Sequence, residues 1–361
     1  MENKLAFYRG CLLGLAVGDA MGYTVDKKSW DEICQDYGPN GLLGYDLVNG
    51  CADITSYTQL AAFACNGLLL GAIRGNAERY PKFLALGIRE WAKSQQFRSS
   101  PERTYCWLAQ VPGMRRRHCM DTRMLDALNR PTLGTPEAPV LYSNTPCAIT
   151  AAVAAGLCAE TARLEPRQIG RLGAEAVACT HGDGETFLSG AFLAYSLAGI
   201  LQEPNQSLAN QFTFACDAVE EQFEEAFPQV TELTAKVKKA IALSKDAELT
   251  PLAAMTLLGC TTAAECVAGA VYACIIHPAN FDEAMIVAVN HSGRSSAVGS
   301  VTGALLGAKL GLDALPEFYL ESLEPADVLC ELADDLTQAH QLMRIFDDSW
   351  DQKYVQGLPA H

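Results

Sequence analysis

Hydroxyls, single charges and glycines gather in three short segments of this chain. The first is Gly18-Asp19-Ala20-Met21-Gly22-Tyr23-Thr24-Val25-Asp26. The second is Ala52-Asp53-Ile54-Thr55-Ser56-Tyr57-Thr58, and the third Asn290-His291-Ser292-Gly293-Arg294-Ser295-Ser296. The second and third each lead into an apolar helical run. A helix entrance carries unsatisfied N–H groups and a partial positive charge, which suits it to hold a negative group. Ser and Thr at such places are also ordinary N-caps. Capping accounts for most of these hydroxyls without any ligand, and both readings stay open.

Two ladders of glycine must position these segments. Gly10, Gly14, Gly18 and Gly22 recur every four residues, as do Gly299, Gly303, Gly307 and Gly311. Residues four apart share one helical face, so each ladder is a groove without side chains. Glycine inside a helix costs about 1 kcal/mol relative to alanine, and four in register need a reason. Close backbone packing of the two chain ends supplies one. Arg9, Asp19 and Lys309 interrupt these runs, so neither offers the span of about 20 apolar residues that a bilayer demands.

Helical periodicity dominates the rest. After the first ladder, turn signals at Tyr37-Gly38-Pro39-Asn40-Gly41 predict a loop that continues to about Ile54. A helix is predicted from Thr58 to about Arg74. Others fall near 80–95, 121–129, 147–162, 167–179, 185–201, 207–226, 230–244, 251–257, 262–276, 281–290, 296–311 and 325–348. The acidic stretch Val219–Glu225 reads as a solvated helix face. Period-two tracts rich in Val, Ile and Thr are nearly absent. The fold class is therefore all-α, expected as one compact domain over 1–350 with a tail over 351–361.

Composition narrows the partners. The 361 residues are 49% hydrophobic and only 19% charged, with a net charge of −15. A phosphate backbone would be repelled, so nucleic acid is not an expected partner. Arg115-Arg116-Arg117-His118 reads as an exposed loop face, with a local phosphate contact as the other reading. Fourteen cysteines include no C-x-x-C pair. They lie in apolar stretches (Cys11, Cys65, Cys158, Cys274), where free cysteine acts as a small hydrophobe, and neither zinc spacing nor a disulfide framework emerges. The N-terminus lacks a signal peptide's flanks. A cytoplasmic protein with no membrane partner is expected.

Several segments resemble one family. Gly10-Cys11-Leu12-Leu13-Gly14-Leu15-Ala16-Val17-Gly18-Asp19-Ala20-Met21-Gly22 is similar to the opening signature of the ADP-ribosylglycohydrolases. That family includes the dinitrogenase reductase-activating glycohydrolases and the jellyfish J1 crystallins. Gly38-Pro39-Asn40-Gly41-Leu42-Leu43-Gly44 resembles its next loop, Ser143-Asn144-Thr145-Pro146-Cys147-Ala148 its central substrate loop, and Thr180-His181-Gly182-Asp183 its Thr-His turn. Ser292–Gly311 falls where the family has Gly-Gly-Asp-Thr-Asp-Thr before a glycine-rich helix. Five matches in order cover nearly the whole chain.

The resemblance implies a site, and this chain departs from it. Family members hold two magnesium ions with Thr-Asp-Asp-Thr and a second Asp-x-Asp pair. Here the first motif reads Thr55-Ser56-Tyr57-Thr58 and the second Arg294-Ser295-Ser296. All four aspartates are missing, and a shifted register would recover only Asp53. Magnesium takes hard oxygen ligands, usually with carboxylates, so no metal and no other cofactor is expected. Asp26 matches an acidic position near the family's reacting centre and is the candidate general base. The implied ligand-binding set is Thr55, Ser56, Tyr57, Asn144, His181, Gly293, Arg294, Ser295 and Ser296. His181 reads first as a structural hydrogen-bonding residue, and Ile149 stands where the family often has Arg. Arg294 either holds a ligand's phosphate or plugs the pocket by pairing with Asp26 or Asp53.

Three functions follow from this resemblance. The first is binding of ADP-ribose, a related nucleotide sugar or an ADP-ribosylated protein, without metal-dependent hydrolysis. The second is metal-independent hydrolysis using Asp26. The third is a structural role like that of the crystallin relatives.

Overall fold

The computed structural model describes residues 2–73, 79–96, 104–117, 121–342 and 350–357. Its helices are α1 (Glu2–Val25), α2 (Trp30–Tyr37), α3 (Ser56–Ile73), α4 (Tyr80–Ser94) and α5 (Thr122–Leu128). Then come α6 (Val153–Thr161), α7 (Pro166–Ala178), α8 (Gly184–Gln202), α9 (Leu208–Phe223), α10 (Val230–Leu243) and α11 (Pro251–Leu258). The last are α12 (Ala263–Ile276), α13 (Phe281–Val289), α14 (Ser295–Leu310), α15 (Glu317–Glu321) and α16 (Ala326–Leu342). No strand occurs among the described residues, only the isolated bridges Val48–Cys51 and Ala52–Leu323. The fold is all-α.

The two ladders meet. A Cβ placed on Gly10, Gly14 or Gly18 would lie within 3.0 Å of the carbonyl oxygen of Gly307, Gly303 or Gly299, respectively, and the reverse holds for each partner. Gly22 faces the Ser295 carbonyl in the same way. Helices α1 and α14 are thus antiparallel and touch backbone to backbone. The same device joins α7 to α8 through Gly173 and Gly190, and α3 to α4 through Gly67 and Gly87. Alanine normally improves a helix over glycine, but here the added methyl meets opposing backbone that has nowhere to go. Gly303→Ala is therefore expected to lower stability by about 3 kcal/mol, the upper range for overpacking. Urea unfolding would read this as a lower midpoint, and a raised midpoint would contradict the close packing.

Helix α8 sits in the core, with Phe187, Leu188, Phe192, Leu193 and Leu197 buried. It is long and apolar enough to cross a bilayer by length and composition, and 72% of its apolar window is buried inside the protein. Cys11, Cys65, Cys158 and Cys274 are free and buried among apolar neighbours. Burial pushes the Cys158 thiol up to about 12, so it packs as a neutral hydrophobe. In the acidic stretch of α9, Val219 and Phe223 face the core while Glu221 and Glu224 face solvent.

The structure departs from the sequence expectations in three places. The loop expected after the first ladder contains α2, started by a capping box in which Ser29 and Glu32 satisfy each other's backbone N–H. The helix expected over 147–162 begins as a 3-10 stretch, Pro146–Ala152, before α6. There the Thr150 hydroxyl donates to the Tyr57 carbonyl at 2.7 Å, tying the stretch to α3. Helix α15 was not expected; it carries buried Tyr319, whose hydroxyl donates to Asp282 at 2.6 Å. Near the C-terminus, Asp351–Val355 forms a π-helical turn whose Lys353 pairs with Glu331 and Asp335. The expected end of α3 at Arg74, the end of α16 beyond 342, and His118 lie outside the described residues.

Candidate functional site

Helix α1 delivers two aspartates to the entrances of two other helices. Asp19, fully buried, accepts four hydrogen bonds from the second segment. The donors are the Thr55 N–H and hydroxyl at 2.8 and 2.7 Å and the Thr58 N–H and hydroxyl at 3.1 and 2.7 Å. The Thr55 hydroxyl in turn accepts from the Tyr57 N–H at 3.3 Å. Asp19 thus performs for α3, from a distant part of the chain, the capping that a local side chain usually provides. Burial pushes its carboxyl up to about 6, against the pull of these donors.

Asp26, just beyond α1, does the same for α14. Its Oδ1 accepts from the Ser296 N–H at 3.3 Å. Its Oδ2 lies 3.5 Å from the Nε of Arg294, and the carboxylate is 7% exposed. Burial raises its pKa, while Arg294 and the Ser296 N–H oppose the rise. Ser295 donates its hydroxyl to the Val289 carbonyl at 2.8 Å and Ser296 to the Asp19 carbonyl at 3.4 Å. The hydroxyls of Thr55, Thr58, Ser295 and Ser296 are therefore all spent on the scaffold.

Arg294 is different. Its side chain is 18% exposed, yet its contacts are long. One terminal nitrogen lies 3.4 Å from the Tyr57 hydroxyl and 4.0 Å from the Cys147 Sγ, and the buried Nε has no hydrogen-bond partner. A guanidinium offers five donors in a planar fork, and buried donors are ordinarily bonded. Of the two aspartates expected as its partner, Asp26 is the one beside it. Asp53 pairs instead with Arg116, which also reaches Glu324 at 3.0 Å. The basic cluster thus includes a structural ion pair, and the Arg115 guanidinium has a buried nitrogen without a partner.

The third segment is firmly held. Asn290 exchanges two 2.8 Å bonds with the Leu42 backbone. Ser292 accepts from the Trp30 N–H at 2.7 Å, and the Gly293 carbonyl accepts from the Lys27 N–H at 2.9 Å. A Cβ on Gly293 would strike the Cys260 carbonyl oxygen, to which the Arg294 N–H donates at 2.8 Å. Thr55, Tyr57, Arg294 and Ser296 thus converge around Asp19 and Asp26, with Ser56 and Ser295 buried beside them. Asn144 stands apart, lining a cleft of about 220 Å³ with Asp183, Glu185, Lys236 and Glu265. His181 is fully buried, with Nε2 3.0 Å from the Thr145 hydroxyl and Nδ1 2.8 Å from the Thr180 hydroxyl. Burial pushes it down to about 4, a neutral imidazole at ordinary pH.

Sequence reasoning placed Asp19 in the first segment and in the family's opening signature but missed its role as the cap of α3. Its position on the same face as Gly22, three residues on, was the available signal. Reasoning by spacing also missed that Asp121 and Cys147 come to His181, because no short motif joins three segments so far apart.

Comparison with known proteins places this architecture. A family model described as ADP-ribosylglycohydrolase matches residues 2–345. Among solved structures 47 chains match. One, described as an ADP-ribosylglycohydrolase-related protein complex, aligns with a TM-score of 0.55 at 21% identity, covering 95% of this chain and 100% of that one. Identity this low speaks for the fold alone. No curated protein matches.

Proposed function

The chain belongs to the ADP-ribosylglycohydrolase family, and we propose that it binds ADP-ribose or a related nucleotide sugar, free or carried on a protein, without metal-dependent hydrolysis. The observation that carries this reading is Arg294. A mostly buried guanidinium, held only at 3.4 to 4.0 Å, stands where the resemblance places metal carboxylates. A phosphate would give its fork the short charge-assisted bonds that the protein does not.

The surrounding donors do not fit magnesium. Asp19 is saturated by four hydrogen bonds, and Asp26 accepts from the Ser296 N–H on one oxygen while the other faces the Arg294 guanidinium. A cation close to Arg294 would also meet its charge. No step of the proposed function runs through a metal. Free cysteines buried in the core accord with a reducing, cytoplasmic setting as part of the same proposal.

Hydrolysis by Asp26 alone is the second reading. Its burial-raised basicity favours it, but one oxygen is held by the Ser296 N–H and glycoside hydrolysis ordinarily uses two carboxylates. Calorimetric titration with ADP-ribose, with and without magnesium, separates the cases. Binding that magnesium leaves unchanged is the expected result, with about 10- to 100-fold weaker affinity in Arg294→Ala, the worth of a charge-assisted hydrogen bond. Magnesium-dependent release of ADP-ribose from a modified arginine or serine would overturn the proposal. Turnover without metal that is lost in Asp26→Asn would favour the second reading, and no binding at all would favour a structural role.

A further inference from the structure

A second constellation lies beside Arg294, outside the caps that Asp19 and Asp26 provide. Asp121 is the N-cap of α5, Cys147 lies in the first turn of the 3-10 stretch Pro146–Ala152, and His181 follows α7. One ligand atom from each lies within 4.8 Å of the other two. His181 is fully buried, Cys147 is 8% exposed, and the Asp121 side chain is 14% exposed. We propose that Asp121, Cys147 and His181 form a binding site for a thiophilic divalent cation of the Zn(II) class.

The donor set selects the ion. One sulfur, one imidazole nitrogen and one carboxylate oxygen suit zinc or cobalt, whereas magnesium takes oxygen ligands throughout. The imidazole is already oriented by its neighbours. The Thr180 hydroxyl donates to the Val177 carbonyl at 3.4 Å and so accepts from Nδ1–H at 2.8 Å. That leaves the lone pair on Nε2, with Nδ1 fixed by an outer hydrogen bond, as metal-ligating histidines usually are. The Thr145 hydroxyl, now on Nε2 at 3.0 Å, can turn to Ser143, 3.1 Å away.

Ligation requires only a local contraction. Metal–ligand distances near 2.0 to 2.3 Å place tetrahedral ligand atoms roughly 3.3 to 3.7 Å apart, so the cluster must close by about 1 Å. Asp121 can supply that movement, because its partner Arg123 is a surface side chain, 58% exposed. Two carboxylates and a thiolate offset the nearby Arg123 and Arg294, the latter already beside Asp26. Three protein ligands leave a fourth position for water or an anion.

Cobalt(II) titration of the full chain, reduced and freed of metal by chelation, tests the proposal. One equivalent should bind with tetrahedral visible bands and a sulfur-to-cobalt charge-transfer band. Zinc should displace it and magnesium should not. Cys147→Ser should abolish the charge-transfer band. Asp121→Asn keeps an oxygen to cap α5, so it should fold normally by circular dichroism while binding at least about 10-fold more weakly. A spectrum without the sulfur band, a band that survives in Cys147→Ser, or unchanged cobalt affinity in Asp121→Asn would each overturn the assignment.

Discussion

Asp19→Ala is expected to be the most damaging single change to this protein, lowering stability at pH 7 by on the order of 4 kcal/mol. The carboxylate lies at 0% exposure and accepts two backbone N–H groups and two hydroxyls. Each buried donor left without an acceptor costs about 1–3 kcal/mol. The threonine hydroxyls can turn to other acceptors, but the N–H groups of Thr55 and Thr58 cannot. Asp19→Asn should lose nearly as much, because its NH₂ would face the same donors. The effect should also reach the site. Tyr57 is held in place by this cap, and its hydroxyl is one of the few groups touching Arg294. Urea unfolding gives the stability loss, and ADP-ribose titration at a pH where the variant stays folded gives the loss of affinity. An Asp19→Ala midpoint within experimental error of wild type would show that the four bonds contribute little.

The scaffold was legible because its strongest signal is geometric. Glycine at Gly10, Gly14, Gly18 and Gly22 has one simple use in a helix, and the structure realises it against Gly307, Gly303, Gly299 and Ser295. Helix entrances at Thr55 and Arg294 were legible for similar reasons. What supplies the caps was not. Local capping rules look three residues ahead, whereas Asp19 caps a helix 36 residues away and Asp26 one 270 residues away. Helix α2 was obscured by the strong turn signals that follow it, although Ser29 and Glu32 have the capping-box spacing. The Asp121, Cys147 and His181 cluster has no local spacing at all, since only the tertiary fold brings its members together.

His291 should make the metal-free protein lose stability in acid, and the sign follows from its burial. Its ring is 1% exposed; Nε2 bonds the Ala288 carbonyl at 3.0 Å, while Nδ1 has no partner. Burial pushes the imidazole down to about 4 from an ordinary value of 6.5. Between those values the unfolded chain binds the proton and the folded one does not, so stability falls as pH drops from 6.5 to 4. The interval corresponds to about 3 kcal/mol. Asp19 acts in the opposite sense. Its carboxyl is raised to about 6 from 3.8, so the extra stability of its protonated form is lost as pH rises from about 4 to 6, while the bonds accepted by the carboxylate remain above that range. His181, also pushed down to about 4, acts in the same sense as His291, so Asp19 offsets only part of the histidine effect in wild type, and single variants separate the terms. The stability difference between wild type and His291→Asn should be constant above pH 7 and shift by about 3 kcal/mol in the variant's favour by pH 4. The difference between wild type and Asp19→Asn should move the other way over the same range, as acid relieves the buried charge in wild type only. Urea midpoints measured from pH 7.5 to 4 decide both, and parallel pH profiles for all three proteins would refute the assignment of these groups.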